Sequence, residues 1–297
     1  MNDRPERPTL DDQPGAPTFR RAVADPAHSG VGLMRHPRIA IIGDTRLHHG
    51  ELTDAGAIAV ELASGWPADV GFRSVANHGE AWEELDALFG AAGITTWLTI
   101  REPERQGESN GHSASILMGD MLNIDELFNH DLVIVASRDV ALRRFLADLP
   151  VHTYPGVRML SLVHFREGVI AEEDLADLTR FDVIVGGEAD FAEIVPVPDG
   201  RQRDCAIEAM VPVIEGTNVR AVVSWGKHGA FRCVTRDKPM LTIPPHHAPH
   251  TGSDGPWATF VGAVAMGMAL RQGWDEIGRE ATRRFAIRSQ ALRSERV

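Results

Sequence analysis

Short apolar runs alternate along the chain with stretches of helical periodicity, and their order predicts a mostly parallel sheet. Arg38-Ile39-Ala40-Ile41-Ile42-Gly43-Asp44 is an apolar run closed by Gly-Asp. It fits a strand buried on both faces, with a polar loop at its C-terminal end. Residues 55–63 follow as a helix of small residues, and residues 70–75 as a short strand. Residues 80–92 carry Ala81, Leu85, Leu88 and Phe89 at helical spacing, and Gly93 supplies the stop. Residues 95–100 and 113–118 are β-like runs around the polar stretch 101–112, which predicts a hairpin acting as a lid within roughly 94–120.

Beyond the lid, strands and helices alternate. Strands are expected at 132–136, 151–154, 183–185 and 221–224, and helices at 140–147, 172–178, within 204–216, at 259–271 and at 274–292. The helix at 259–271 holds Gly262, Ala263, Ala265, Gly267 and Ala269, small residues that permit close packing. Repeated βα units imply a parallel sheet with helices on both faces.

Composition narrows the class. The chain has 297 residues, 43% hydrophobic and 24% charged, which suits one large α/β domain or two smaller ones. A formal net charge of −12 argues against non-specific nucleic-acid binding. Arg279, Arg283, Arg284, Arg288, Arg293 and Arg296 crowd the last helix, as a solvated face or a local basic patch. Cys205 and Cys233 are too few for a disulfide framework and fit a reducing, cytoplasmic setting. No apolar run reaches the ~20 residues of a membrane span. Residues 1–36 are rich in Pro, Asp and Arg without a signal-peptide core, so they are expected to be a disordered tail preceding a domain at 37–297.

Two segments carry candidate chemistry. Val222-Val223-Ser224-Trp225-Gly226-Lys227-His228-Gly229-Ala230 reads as a buried strand and a Gly-rich turn, and Ser253-Asp254-Gly255-Pro256-Trp257-Ala258-Thr259-Phe260-Val261-Gly262 opens a helix. The pair resembles the C-terminal half of the ribokinase/PfkB family of sugar and nucleoside kinases. There the turn reads Thr-x-Gly-x-x-Gly and the helix opens with Asp-Thr-x-Gly-Ala-Gly-Asp-x-Phe. The likeness extends over roughly residues 37–292. Gly93-Ile94-Thr95-Thr96 resembles the family's Gly-Val-Asp-Thr, and Phe181-Asp182-Val183-Ile184-Val185-Gly186-Gly187-Glu188-Ala189-Asp190 resembles its Ala-Asp-Val…Asn-x-x-Glu segment. The resemblance implies a three-layer α/β/α sandwich with a small β lid. It also implies ATP and Mg2+ as cofactors, a sugar or nucleoside-like substrate, and pairing into a homodimer through the lid.

The departures fall on polar positions. The family's sugar-binding Asp would lie near His48, its signature Asn is replaced by Ala57, and its Gly-Asp-Asp becomes Asn77-His78-Gly79. Its Asn-x-x-Glu becomes Gly187-x-x-Asp190, and an ungapped alignment sets its catalytic Asp on Ala258, which accepts no proton. The resemblance also implies a segment beside the nucleotide beyond Ala291, where this chain soon ends, so weak ATP affinity is expected.

Phosphoryl transfer to an alcohol needs an oriented hydroxyl, a nearby carboxylate and donors for the moving phosphate. Thr251-Gly252-Ser253-Asp254-Gly255 at a helix start can form an anion cradle, with Pro256 in the first turn. Asp254, the only carboxylate there, is the candidate base or else a plain helix cap. Ser224, Trp225, Gly226, Lys227 and Gly229 form the candidate nucleotide loop, with Gly252, Ser253 and Gly255 on the phosphate side. Trp225 either stacks on a base or sits in the core. Asp44, His48 and Asn77 are the candidate substrate contacts, and Asp44 alternatively caps a turn. Glu188 and Asp190 either help hold magnesium or solvate a helix start. His246, His247 and His250 fit a solvated loop better than a metal site, since the prolines around them prevent helical spacing. Two functions compete: an ATP-dependent sugar kinase with an altered site, and a catalytically silent ligand- or partner-binding module.

Overall fold

The run Arg38–Gly43 forms β1, an interior strand of a sheet that has nine strands among the described residues. The computed structural model describes residues 35–45, 47–48, 51–77, 82–101, 122, 124–127, 129–137, 140–149, 158–162, 178–194, 203–226, 229–236, 238–246 and 256–294. After β1, a two-stranded hairpin joins β2 (Leu47–His48) to β3 (Glu51–Leu52), and α1 (Asp54–Gly65) leads to β4 (Asp69–Asn77). Next come α2 (Trp82–Ala91), β5 (Thr95–Arg101), α3 (Ile124–Leu127), β6 (Leu132–Ala136), α4 (Val140–Asp148) and β7 (Arg158–Leu162). β8 (Val183–Gly187) runs into α5 (Glu188–Ile194), and a 3-10 helix at Arg203–Met210 continues as α6 (Val211–Ile214). β9 (Ala221–Trp225), β10 (Phe231–Thr235) and β11 (Lys238–Ile243) precede α7 (Trp257–Ala269) and α8 (Trp274–Ser294).

The strand order is β11-β10-β9-β8-β7-β6-β1-β4-β5. Every neighbouring pair from β5 to β9 is parallel, and β10 and β11 are antiparallel additions. The chain steps outward from β1 through β4 to β5, then returns to the other side of β1 and steps outward again through β6 to β9. The direction therefore reverses between β1 and β6. In open α/β sheets such a switch point leaves a crevice at the carboxyl ends of the strands.

Alternate residues of β1 feed opposite cores, as the pleat requires. Ile39 and Ile41 join Val70, Phe72, Phe260 and Val264 on the face covered by α1, α7 and α8. Ala40 and Ile42 join Val133, Val135, Leu142 and Leu146 on the other face. Small residues set the spacing on the first face: a Cβ on Gly262 would come within 3.2 Å of the Trp66 ring. The three-layer α/β/α sandwich expected from the alternating pattern is thus present.

Several elements differ from expectation. Residues 95–100, expected as one arm of a lid hairpin, form the parallel edge strand β5 of the main sheet, in register Gly71↔Thr95 through Asn77↔Arg101. The cause is the β4–α2–β5 connection. Gly93 ends α2 at φ 72°, and the chain returns beside β4 in the same direction, the ordinary βαβ crossover. The other arm, 113–118, lies outside the described residues, as do the strand at 151–154, nearly all of the helix at 172–178, and residues 1–34 of the expected tail. A strand occurs instead at Arg158–Leu162. The β10–β11 hairpin was not anticipated. Within the described residues, no helix is long and apolar enough to cross a membrane.

Candidate functional site

Asp44 follows β1 at the switch point. Ser137, the residue after β6, donates its hydroxyl to Asp44 Oδ2 at 3.3 Å, so the two strand ends are joined across the crevice. The Asp44 carbonyl accepts from Ala55 N–H at 3.0 Å, which seats the first turn of α1 over the end of β1. Asp54, the first residue of that helix, sits at φ 54°, a conformation Asp tolerates better than most residues. His48 pairs with Glu51 in the small hairpin just before α1, and Asn77 ends β4 opposite Arg101. Asp44 and His48 thus follow β1 and Asn77 is the last residue of β4, and among the three only Asp44 has a described side-chain environment.

The second half of the cleft is built by β8, β9 and the start of α7. Gly187 and Trp225 are register partners at the ends of β8 and β9. A Cβ on Gly187 would come within 3.1 Å of Trp225 Nε1, so glycine is what lets the indole lie down there. Trp225 stacks on Trp257 in the first turn of α7, with centroids 6.3 Å apart, and meets Phe260 edge-on at 5.8 Å. Its ring is thus partly buried against the core.

Gly226 and Gly229 close a tight turn, with Gly229 N–H donating to the Gly226 carbonyl at 2.9 Å and Gly226 N–H to the Ala230 carbonyl at 2.8 Å. Gly229 has φ 77°. Ser224 is fully buried beneath this turn. Among the described residues, Ser224 Oγ and the Thr259 Oγ1 in the first turn of α7 find no hydrogen-bond partner. The buried Ser74 and Ser289 hydroxyls are likewise without a partner among the described residues, and each such group costs about 1–3 kcal/mol of desolvation.

Glu188 and Asp190 are engaged by the protein. Glu188 is buried, with Oε1 2.6 Å from Arg232 Nη1 on β10. Asp190 Oδ2 accepts from Gly187 N–H at 2.6 Å, which caps the start of α5. One carboxylate thus faces a guanidinium, and the other accepts from the N–H that precedes α5. Among the described residues, no group of three His, Cys, Asp or Glu side chains could hold a metal ion. Cys233 on β10 offers no nucleophile, because burial pushes its thiol up to about 12.

α7 starts at Trp257, and Phe260 N–H donates to the Pro256 carbonyl at 3.2 Å. Ala258 is buried in the first turn as part of the core. Lys227, Gly252, Ser253, Asp254 and Gly255 lie outside the described residues. The residues that sequence patterns missed are Ser137, Arg232 and Trp257. Ser137 was open to inference, since it directly follows a predicted parallel strand at the end where ligands bind.

No family model matches the sequence, and no curated protein is similar to it in sequence. Solved structures are similar in fold. The tetrameric inhibited form of phosphofructokinase-2 from Escherichia coli matches with a TM-score of 0.64 at 11% identity, covering 86% of this chain and 95% of that one. Arabidopsis thaliana ribokinase complexed with ribose and ATP matches with a TM-score of 0.62 at 13% identity, covering 84% and 91%. A ribokinase from Cryptococcus neoformans var. grubii serotype A in complex with ADP matches with a TM-score of 0.61 at 12% identity, covering 83% and 91%. The chain has the ribokinase fold across nearly the full length of these kinases.

Proposed function

We propose that the protein is a sugar-kinase homologue with an altered site, which transfers a phosphoryl group from ATP to a hydroxyl of a sugar or related small alcohol. The observation that carries this reading is the meeting of three strand ends and a helix start. Asp44 stands at the switch point, and the Gly226–Gly229 turn abuts the first turn of α7 through Trp225 and Trp257. A small polar substrate on the Asp44 side and a phosphate chain on the α7 side would then share one cleft.

In the step proposed, the substrate hydroxyl oxygen bonds to the terminal phosphorus of ATP, and the bond from that phosphorus to the bridging oxygen breaks. ADP departs with those electrons, and the hydroxyl proton passes to a carboxylate. Backbone N–H groups of Trp257, Ala258 and Thr259 are donors for the transferred phosphate and need no special side chain. Magnesium, entering with the phosphates of ATP, would supply charge neutralisation. Asp254 is the proposed proton acceptor, because Ala258 cannot serve, and Asp44 is the next candidate.

The test is a screen of sugars and nucleosides for substrate-dependent ADP release. Asp254→Asn should lower any activity by about 10²–10⁴-fold, the range for a well-placed general base. Activity untouched by Asp254→Asn removes Asp254 from the mechanism and turns attention to Asp44→Asn. The second reading, a ligand-binding module without turnover, is favoured by the loss of the carboxylate at Ala258. It expects no ADP release and weak ATP binding by calorimetry.

A further inference from the structure

A cavity of about 420 Å³ opens at the end of the sheet opposite the candidate cleft. Arg220, Thr235, Arg236, Lys238, Asn218 and Trp274 line it. It lies beside the amino end of β9, where Ala221 pairs with Thr235, and Thr235 in turn pairs with Lys238 across the β10–β11 hairpin. The five residues of β9 separate it from the Gly226 turn, a span of roughly 16 Å at strand rise. It therefore belongs to a different site.

Its charge runs against that of the whole chain, which is −12. Arg220 Nε lies 3.2 Å from Asp182 Oδ1, so that guanidinium is largely neutralised. Arg236 is held differently: Nη2 donates to the Thr217 and Ile214 carbonyls, neutral acceptors that fix the side chain. Lys238 is exposed, and among the described residues no carboxylate pairs with it or with Arg236. Two cations without a carboxylate partner among the described residues, one of them anchored, match a dianion better than a single carboxylate. Thr235 and Asn218 add polar lining, and half-buried Trp274 gives one apolar aromatic wall. The volume falls within the range of small-molecule sites, about 300–1,000 Å³.

We infer that this pocket binds a small organic monophosphate, its phosphate on Arg236 and Lys238 and its carbon skeleton against Trp274. Calorimetry on the full chain tests this with ribose 5-phosphate, AMP and inorganic phosphate. Ribose 5-phosphate and AMP separate a bare sugar ligand from a base-bearing one, and saturable binding of either, tighter than inorganic phosphate, is the expected result. Affinity should fall with ionic strength and drop at least about tenfold in Lys238→Glu, where a contact charge is reversed. Lys238 is exposed, and Lys238→Gln, which should weaken binding less, guards against misfolding of the reversed-charge variant. Asp44→Asn should leave the affinity unchanged. Three results would overturn the inference: no saturable binding, inorganic phosphate binding as tightly as both esters, or binding insensitive to Lys238→Glu and lost in Asp44→Asn.

Discussion

Glu188 and Arg232 form an ion pair at 2.6 Å that joins the first residue of α5 to the second residue of β10. A Cβ on Gly226 would come within 3.3 Å of Glu188 Oε1, so the pair lies directly against the candidate nucleotide turn. Removing one member takes this close contact from a mostly buried charge. Glu188→Gln should therefore lower stability by roughly 2–4 kcal/mol, somewhat under the range for fully buried pairs because Arg232 is partly exposed. Replacing both residues, as Glu188→Leu with Arg232→Met, should recover most of that loss. Urea unfolding of the two singles and the double gives the coupling directly, and additive losses would show that the pair is not coupled.

Gly229 is fixed by two independent constraints. Its φ of 77° is costly for any residue with a Cβ, and a Cβ there would also come within 2.6 Å of Phe285 Cγ on α8. Gly216 has a similar φ of 85° with open space around it. Gly216→Ala should cost about 1–2 kcal/mol from backbone conformation alone. Gly229→Ala should cost about 1–3 kcal/mol more, from overpacking against the ring. Phe285→Ala should recover part of the excess in the double variant. Equal losses at the two glycines in thermal unfolding would mean that the ring moves aside freely.

His130 links stability to pH. It is buried, and its Nδ1–H donates to the Glu126 carbonyl at 2.9 Å. Burial, the larger cause, together with the Arg38 and Arg73 charges, lowers its pKa below the ordinary 6.5. The unfolded chain therefore binds more protons at this site as pH falls through about 6.5, and folding stability falls with it. Glu280 acts lower. Hydrogen bonding from Arg283 holds its carboxyl below the ordinary 4.5, so its stabilisation is lost only as pH falls below that value. Thermal midpoints between pH 7.5 and 5.5 should drop in the wild type and drop less in His130→Asn, which retains a donor for the carbonyl. Identical slopes would assign the effect to other groups.

What sequence patterns revealed, and what they hid, follows from where each partner lies. β1 was legible because burial on both faces leaves an unbroken apolar run, Ile39 to Ile42. α7 was legible because close packing against Trp66 and Ile277 demands small residues at Gly262 and Gly267. β5 was misread because the polar Thr95, Thr96 and Thr99 of an edge strand resemble a lid arm. β10 was missed although Phe231, Arg232 and Cys233 alternate in, out, in; the strand is only 5 residues long and follows a turn. Site polarity could be read from position at strand ends, but not from pairing. Ser137 meets Asp44 across 93 residues of sequence, and Arg232 meets Glu188 on a strand that was not anticipated.

The tail gives a simple test of domain organisation. The composition changes near residue 36, and one compact unit runs from His36 to Val297. Removing residues 1–34 should leave the thermal midpoint nearly unchanged. A large fall would show that these residues contribute to the folded domain.

Ala258→Asp is the most informative single change at the candidate cleft. Position 258 is in the first turn of α7, buried against the core, and an ungapped alignment sets the kinase base there. Two effects oppose each other. A carboxylate near a helix N-terminus gains about 0.3–1 kcal/mol from the exposed N–H groups. Burying it without a matched partner costs more, at least ~1–3 kcal/mol. Net destabilisation of roughly 1–2 kcal/mol is therefore expected in urea unfolding. Function moves independently of that loss. If the cleft still orders a hydroxyl and a nucleotide, restoring the carboxylate should raise substrate-dependent ADP release above the wild type, at temperatures where both proteins are folded. If Asp254 already acts as base, the extra carboxylate should lower activity through like-charge repulsion. Absence of ADP release in both proteins, together with weak ATP binding, would set the module without turnover ahead of the kinase.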